Sequence, residues 1–170
     1  MDALTTGYVF VLKEMLDQNG IAEQAVSYVA VGTGAERLAA LKAGTCSATL
    51  LNAPLCLAAE AAGNNRLLRA KDVLGRYQGI VGAARRDWAR ANRAKVGAFI
   101  RAFHRSLQWL SEPANQAEAY SILIKRLPVL AEVTHHAYRV LVLEGGLDRN
   151  LTIDRDGAAH VIKLREKYGK

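Results

Sequence analysis

A three-part motif recurs along the first third of the chain: a short apolar run, a turn of small polar residues, and apolar positions at helical spacing. The first copy has its turn at 5–7 and its helical pattern at 9–16. The second copy follows a β-rich run at 24–31, and the third follows a run at 48–51. Strands that enter helices through small turns are typical of a parallel sheet whose loops gather at one edge. The pattern therefore predicts the α/β class, with ligands bound at that edge.

Local signals support the helices of this motif. Thr33 and Glu36 have the spacing of a capping box, in which the hydroxyl accepts from a free backbone N–H and the carboxylate reaches back. Gly44 is a typical helix stop. Asn52 suits a helix cap, and Pro54 suits the first turn that follows it.

The pattern changes beyond this first part. An extended apolar segment at 78–84 is followed by a sequence with almost continuous helical periodicity. We predict a long amphipathic helix and three further helices, at 92–110, 114–127, 131–143 and 155–168. The change in composition at 71–78 marks the candidate domain boundary.

Composition places the chain among folded proteins with a basic excess. Its 170 residues are 51% hydrophobic and 23% charged, which suits one domain or two small lobes. No apolar run approaches the roughly 18–20 residues of a membrane span, and the first residues lack the pattern of an export signal. The formal charge of +7 favours anionic partners in general, and solvated helix faces also explain such an excess.

The most basic stretch runs from Arg85 to Arg101, with Trp88 interleaved. Asp87 interrupts it, and no helix-turn-helix or RNA-binding signature accompanies it. The sequence therefore predicts no nucleic-acid partner.

The turns ahead of the three helices form the candidate site. A helix N-terminus offers unpaired backbone N–H groups and the positive end of a dipole, so several that face one crevice favour an anion. Thr5, Thr6 and Gly7 in the first turn, and Thr33 and Gly34 in the second, leave the backbone accessible and add hydroxyl donors. The same residues also serve as ordinary caps and turns. Neither turn has the lysine of a phosphate loop or the full glycine fingerprint of a dinucleotide site.

The residues that most often carry catalysis are scattered. The histidines and cysteines are His104, His135, His136, His160, Cys46 and Cys56. No two histidines have the i,i+4 spacing of a helical zinc site, adjacent histidines on a helix point to different faces, and neither cysteine has a Cys-x-x-Cys partner. Asp148, Asp154 and Asp156 suit capping and turns. The sequence therefore predicts no enzyme, no cofactor and no metal.

Short stretches along the whole chain carry a family resemblance. In the first part they are 6–12 (TGYVFVL), 31–32 with 35–44 (AERLAALKAG), and 48–54 (ATLLNAP). In the later part they are 77–79 (YQG), 85–88 (RRDW), 99–102 (FIRA), 109–110 and 113–115 (PAN). In order and spacing these stretches resemble the substrate-binding proteins of ABC transporters, of the nitrate/sulfonate/taurine and thiamine-precursor type.

The resemblance implies a partial type II periplasmic binding protein fold, in which two α/β lobes close on a ligand. By position, residues 1–76 resemble the second α/β lobe, 77–84 the crossover strand, and 85–170 the C-terminal helices that pack on the first lobe. Most of the first lobe and the export signal have no counterpart, so a truncated binding protein is expected, periplasmic in the family and cytoplasmic as written. Self-association through the exposed apolar faces of the later helices would follow.

Carried over by position, the family's ligand contacts fall on Thr5, Thr6, Gly7, Gly32, Thr33 and Asn52. The implied ligand is a small anionic or polar organic solute, such as a sulfonate, nitrate or a pyrimidine precursor. An intact protein would trap it by hinge closure and deliver it to an ABC permease. This chain departs from the family pattern at Ser47, where an acidic residue is usual, and at 127–131, where the link is short.

Two alternatives stay open on the same fold. Ligand-sensing effector domains of LysR-type transcriptional regulators share it, and a DNA-binding segment, which the chain does not show, would favour that interpretation. An enzyme of thiamine-precursor synthesis would need a histidine or cysteine at the cleft turns. The turns at 5–8, 32–36 and 52–54 contain neither.

Overall fold

Within residues 1–127 and 129–169, which the computed structural model describes, the chain forms nine α-helices and no β-strand. The helices are α1 Gly7–Gln18, α2 Gly34–Lys42, α3 Leu55–Ala61, α4 Ala70–Leu74, α5 Arg86–Ala91, α6 Arg93–Ser111, α7 Gln116–Arg126, α8 Ala131–Tyr138 and α9 Arg155–Tyr168. Short 3-10 turns lie at Glu23–Ala25 and Pro113–Asn115, and a π-helical turn, Arg139–Leu143, continues α8. The predicted α/β fold, with a short parallel sheet lobe of the type II binding-protein kind, is therefore wrong.

The segments predicted as strands have almost no backbone partners. The amino group of Met1 donates to the carbonyl of Val29 at 2.6 Å, and the N–H of Val31 donates to the carbonyl of Met1 at 2.6 Å. One residue that donates to and accepts from two positions of a neighbouring segment is typical of parallel strands. Met1 alone of the first predicted segment takes part, which is too short for a strand. Tyr28 and Thr49, in the other two segments, have buried hydroxyls that find no hydrogen-bond partner among the described residues. A β-rich run becomes a strand only when neighbouring strands pair with it, because its propensity depends on that context.

One compact unit consists of residues 1–79 and 153–169 and is built around α1. Helix α1 packs on α4 and α9. The buried core side chains are Met1, Val9, Phe10, Val11, Met15, Leu74 and Leu164. Lys167 on α9 binds two carboxylates on α1, those of Glu14 at 2.8 Å and Asp17 at 2.7 Å. This unit therefore combines an apolar core with ion pairs between residues distant in sequence.

A second compact unit consists of residues 80–127 and 129–152. Its core is a small cluster of Ala119, Tyr138 and Val142, and the Tyr138 hydroxyl donates to the carbonyl of Leu110 at 2.7 Å. On the long helix α6 only Leu107 is buried. None of the described helices combines the length and hydrophobicity needed to cross a membrane.

Two of the predicted helix caps are confirmed, those of α2 and α9. Thr33 and Glu36 form both hydrogen bonds of the capping box at the start of α2. Asp154 caps α9, because its carboxylate accepts from the N–H of Gly157 at 3.1 Å. Asn52 is not the cap of α3, which has Pro54 in that position. Pro128, where the sequence predicts a helix end, lies outside the described residues, and the predicted domain boundaries at 76 and 84 stay a prediction.

Candidate functional site

Thr6, in the first predicted turn, is the N-cap residue of α1. Its side chain does not cap the helix, and its hydroxyl instead donates to a carboxylate oxygen of Asp2 at 2.6 Å. Burial raises the pKa of Asp2, but the hydrogen bonds from Thr6 and the backbone outweigh this effect and leave the pKa below its usual value. The N–H groups of Gly7 and Tyr8 lie in the first helical turn, where an α-helix supplies no carbonyl for them. The start of α1 therefore has backbone N–H groups without an intrahelical acceptor, next to the carboxylate of Asp2.

The second predicted turn, by contrast, satisfies much of its own hydrogen bonding. The Glu36 carboxylate accepts from the N–H of Thr33 at 2.6 Å, and the Thr33 hydroxyl accepts from the N–H of Glu36 at 3.4 Å. These bonds lower the pKa of Glu36. Gly32 has a φ of +111°, a conformation that side chains disfavour. A Cβ there would also contact the Glu36 carboxylate in its capping position.

Arg37 is the residue that joins the turns, and the sequence analysis did not single it out. The side chain is 3% exposed. Its Nε donates to the carbonyl of Leu50 at 3.3 Å and its Nη1 to the carbonyl of Gly32 at 2.7 Å. Its guanidinium also lies over the ring of Tyr8, 4.9 Å from the centroid. A cation in the first turn of a helix is unfavourable, because it lies at the positive end of the helix dipole. The position of Arg37 in the first turn of α2 is therefore the sequence signal that its guanidinium has partners elsewhere in the chain.

The structure therefore brings four of the predicted residues into one neighbourhood. Arg37 contacts both Gly32 and Tyr8, the residue that follows Gly7 in α1. Thr33 follows Gly32 in the chain, and Thr6 precedes Gly7. The start of α3 also approaches α2, since a Cβ on Gly34 would lie 2.6 Å from a methyl group of Leu55.

Thr5 and Asn52 lie at the exposed edge of this region. Both residues are exposed, and neither side chain forms a hydrogen bond with any residue in the described ranges. The carbonyl of Asn52 accepts from the N–H of Cys56 at 3.1 Å. The Thr5 hydroxyl and the Asn52 amide are thus available to a ligand, and the structure does not tie either to the Arg37 contacts.

Tyr77 forms a further wall that the site prediction omitted. Its hydroxyl lies close to Gly7, 3.5 Å from the place where a Cβ on that residue would stand. Burial, and secondarily the neighbouring Tyr8, raise the pKa of Tyr77. The start of α1 is therefore flanked by two aromatic rings, those of Tyr8 and Tyr77.

Two spaces lie away from these turns. A cavity of about 110 Å³ is found at the far end of α1, lined among others by Lys13, Tyr28 and Lys167. In the second unit, a groove of about 380 Å³ is lined by Tyr120, Glu132, His135, His136, Arg139 and Leu143. Both adjacent histidines line this groove. Neither space includes a predicted site residue.

The next side chains to consider are the potential metal ligands and the two cysteines. Within residues 1–127 and 129–169 no group of histidine, cysteine, aspartate and glutamate side chains could hold a metal ion. Cys46 and Cys56 are free thiols, and burial raises the pKa of Cys56.

Comparison with protein families gives one match. The model of the NMT1-like family matches residues 4–124, which is well over half of the chain and includes all six predicted site residues. That family is part of the nitrate/sulfonate/taurine-type periplasmic binding protein group. Comparison with curated proteins and with solved structures finds no significant match.

Proposed function

Because the chain belongs to the NMT1-like family, we propose that it is a solute-binding component of an ABC transporter. The solute in this proposal is a small anionic or polar organic molecule, and an ABC permease receives it. The binding surface consists of the starts of α1 and α2 and the turn before α3, with Thr5, Thr6, Gly7, Gly32, Thr33 and Asn52 as contacts.

The observation that carries the proposal is the set of contacts made by Arg37. One buried guanidinium holds the carbonyls of Gly32 and Leu50 and lies over Tyr8. It therefore keeps the second and third turns next to the start of α1, and it adds a positive charge beneath them. Backbone N–H groups at a helix start, a nearby cation and exposed hydroxyls together favour an anionic group such as a sulfonate or carboxylate.

The test is thermal unfolding of the 170-residue chain with a panel of nitrate, sulfonates, taurine, pyrimidines and aromatic acids. A solute at 100 times its dissociation constant should stabilise the chain by about 2.7 kcal/mol. Thr5→Ala should weaken binding of that solute by about tenfold, since it removes one hydrogen bond of about 1.4 kcal/mol or less.

Thr45→Ala is the matched control, because Thr45 is an exposed threonine at the opposite end of α2, where its hydroxyl donates to the carbonyl of Ala40. It should leave solute binding unchanged. If no solute shifts the unfolding temperature, or if both variants weaken binding equally, the helix starts are not the site.

A further inference from the structure

Helices α5 and α6, with the residue before them, hold most of the net charge of the chain. The basic side chains of this segment are Arg85, Arg86, Arg90, Arg93, Lys95, Arg101 and Arg105. Asp87 is the one acidic residue among them, so the segment has a formal charge of +6 within a chain of +7. All seven basic residues are exposed, and none forms an ion pair with the described part of the chain.

The same segment has an uncovered apolar stripe along α6. Val96, Phe99, Ile100, Phe103, Leu107 and Leu110 recur at helical spacing. Towards the C-terminal end the stripe is covered, because Leu107 is buried and Leu110 packs on the core of the second unit. Towards the N-terminal end it is not, since Phe99 is 67%, Ile100 51% and Phe103 50% exposed.

Aromatic side chains dominate the uncovered part. The rings of Phe99 and Phe103 are nearly parallel with centroids 6.2 Å apart, so they form one continuous apolar surface. Trp88 on α5 is 50% exposed. At about 100° per residue, Arg93 and Lys95 fall on opposite sides of the stripe, while Arg101 and Arg105 lie on the far face of the helix.

We propose that this face of α5 and α6 lies on an anionic lipid surface. An apolar stripe with exposed phenylalanines, bordered and backed by cationic side chains, is the pattern of a helix that lies in a membrane interface. Negatively charged headgroups supply counter-charges for Arg93 and Lys95, which border the stripe, and the acyl boundary covers Phe99, Ile100 and Phe103. A second copy of the chain would cover the stripe but would bring like charges together. A nucleic acid would neutralise the arginines but would leave the aliphatic part of the stripe in water.

Co-sedimentation of the full chain with lipid vesicles tests the electrostatic part of the proposal. The chain should bind vesicles that contain phosphatidylserine, should bind pure phosphatidylcholine vesicles far less, and should dissociate as salt is raised. Replacing both Arg93 and Lys95 by Gln should lower the partition coefficient by about thirtyfold, because each cationic side chain near such a surface contributes about fivefold. Lys163→Gln removes an exposed lysine from α9 in the other unit and should leave partitioning unchanged.

A second pair of variants tests the apolar part. The double substitution Phe99→Ser and Phe103→Ser should lower partitioning by at least about tenfold, because it removes two aromatic rings that would be buried in the acyl boundary. Ile162→Ser, at a 58% exposed site on α9, is the control and should have no effect. Both phenylalanines are exposed, so an unchanged circular dichroism spectrum separates lost binding from lost folding.

Three outcomes would overturn the proposal. The first is equal binding to both kinds of vesicle. The second is a dimer in sedimentation velocity that the Phe99 and Phe103 variant dissociates, with no vesicle binding by the parent chain. The third is binding of duplex DNA that competes with vesicles and is unaffected by the loss of the two phenylalanines.

Discussion

The two compact units are built from the same kind of amphipathic helix, and they differ in how completely the apolar face of that helix is covered. Helix α1 has 12 residues and buries Val9, Phe10, Val11 and Met15. Helix α6 has 19 residues and buries Leu107. In the first unit, segments from both ends of the chain converge on α1, whereas in the second unit α7, α8 and the π-helical turn reach the C-terminal end of α6. Burial of an amphipathic face therefore depends on how many other segments reach it, and not on how strong its pattern is.

Charges differ between the units in the same way. In the first unit Lys167 pairs with carboxylates about 150 positions earlier in the chain, and Arg76 pairs with Asp154 at 2.9 Å and Asp156 at 2.8 Å. In the second unit the basic residues of α5 and α6 have no such partners in the described ranges. Exposed ion pairs contribute little free energy, so the pairs in the first unit mark segments that the apolar core already holds together.

The largest expected effect distinguishes two phenylalanines, one in each unit. Phe10→Ala should lower the free energy of unfolding of the first unit by about 3–5 kcal/mol, because it opens a cavity at a side chain that is 4% exposed. Phe99→Ala, at the 67% exposed site, should change stability by less than about 0.5 kcal/mol. Denaturant unfolding followed by circular dichroism measures both. Similar losses for the two variants would mean that α6 is covered in solution.

An acid titration should affect the first unit through Glu14. Burial raises the pKa of Glu14, but hydrogen bonds from Lys167, Gln18 and Tyr168 outweigh it and lower the pKa to about 2, against an ordinary 4.5. A depressed pKa stabilises the folded state above the unfolded pKa. We therefore expect about 1–2 kcal/mol of stability to be lost as pH falls from 4.5 towards 2.

Glu14→Gln should abolish that part of the pH dependence. Glu166→Gln is the control, because Glu166 is an exposed glutamate on α9 outside these contacts. The free energy of unfolding measured at several pH values between 2 and 7 (roughly the range over which carboxylates titrate) would decide the matter. An unchanged acid limb in Glu14→Gln would contradict the prediction.

The smallest expected effect compares two tyrosine hydroxyls. Tyr138→Phe in the second unit should cost about 0.5–1.5 kcal/mol, because it removes the hydrogen bond to Leu110. Tyr28→Phe in the first unit should be neutral or slightly stabilising, because its buried hydroxyl has no partner among the described residues. Trp88 and Trp109, the two tryptophans of the chain, both lie in the second unit, so tryptophan fluorescence reports the Tyr138 variant separately. Equal losses would show that Tyr28 does bind a partner in solution.

The helices were predictable and the sheet was not, for a reason visible at particular residues. The capping hydrogen bonds of Thr33, Glu36 and Asp154 join groups that are at most three residues apart in the chain. Such bonds need only a local helix start, whatever the rest of the fold. The runs at 24–31 and 48–51 have β-rich sequences, but a strand requires another strand beside it. Met1 pairs with Val29 and Val31, and no further described segment continues that ladder.

The candidate site divides along the same line. The turns at Thr6, Gly7, Gly32 and Thr33 could be identified from the sequence because small and hydroxyl residues before a helix have local meaning. Arg37 could not be identified as their link, since its partners, Tyr8 and Leu50, lie 29 and 13 positions away. Tyr77 was missed as a wall of the site for the same reason.

What the sequence determined by itself is therefore the longer helices, the caps of α2 and α9, the charge of α5 and α6, and the family to which the chain belongs. Each of these depends on neighbouring residues or on composition alone. The tertiary structure decided that, among the described residues, the β-rich runs form no sheet beyond the hydrogen bonds of Met1, that Arg37 is buried between three turns, and that Phe99 and Phe103 stay exposed. These depend on which distant segments meet, because burial and hydrogen bonding across long sequence separations are set by the whole packed arrangement.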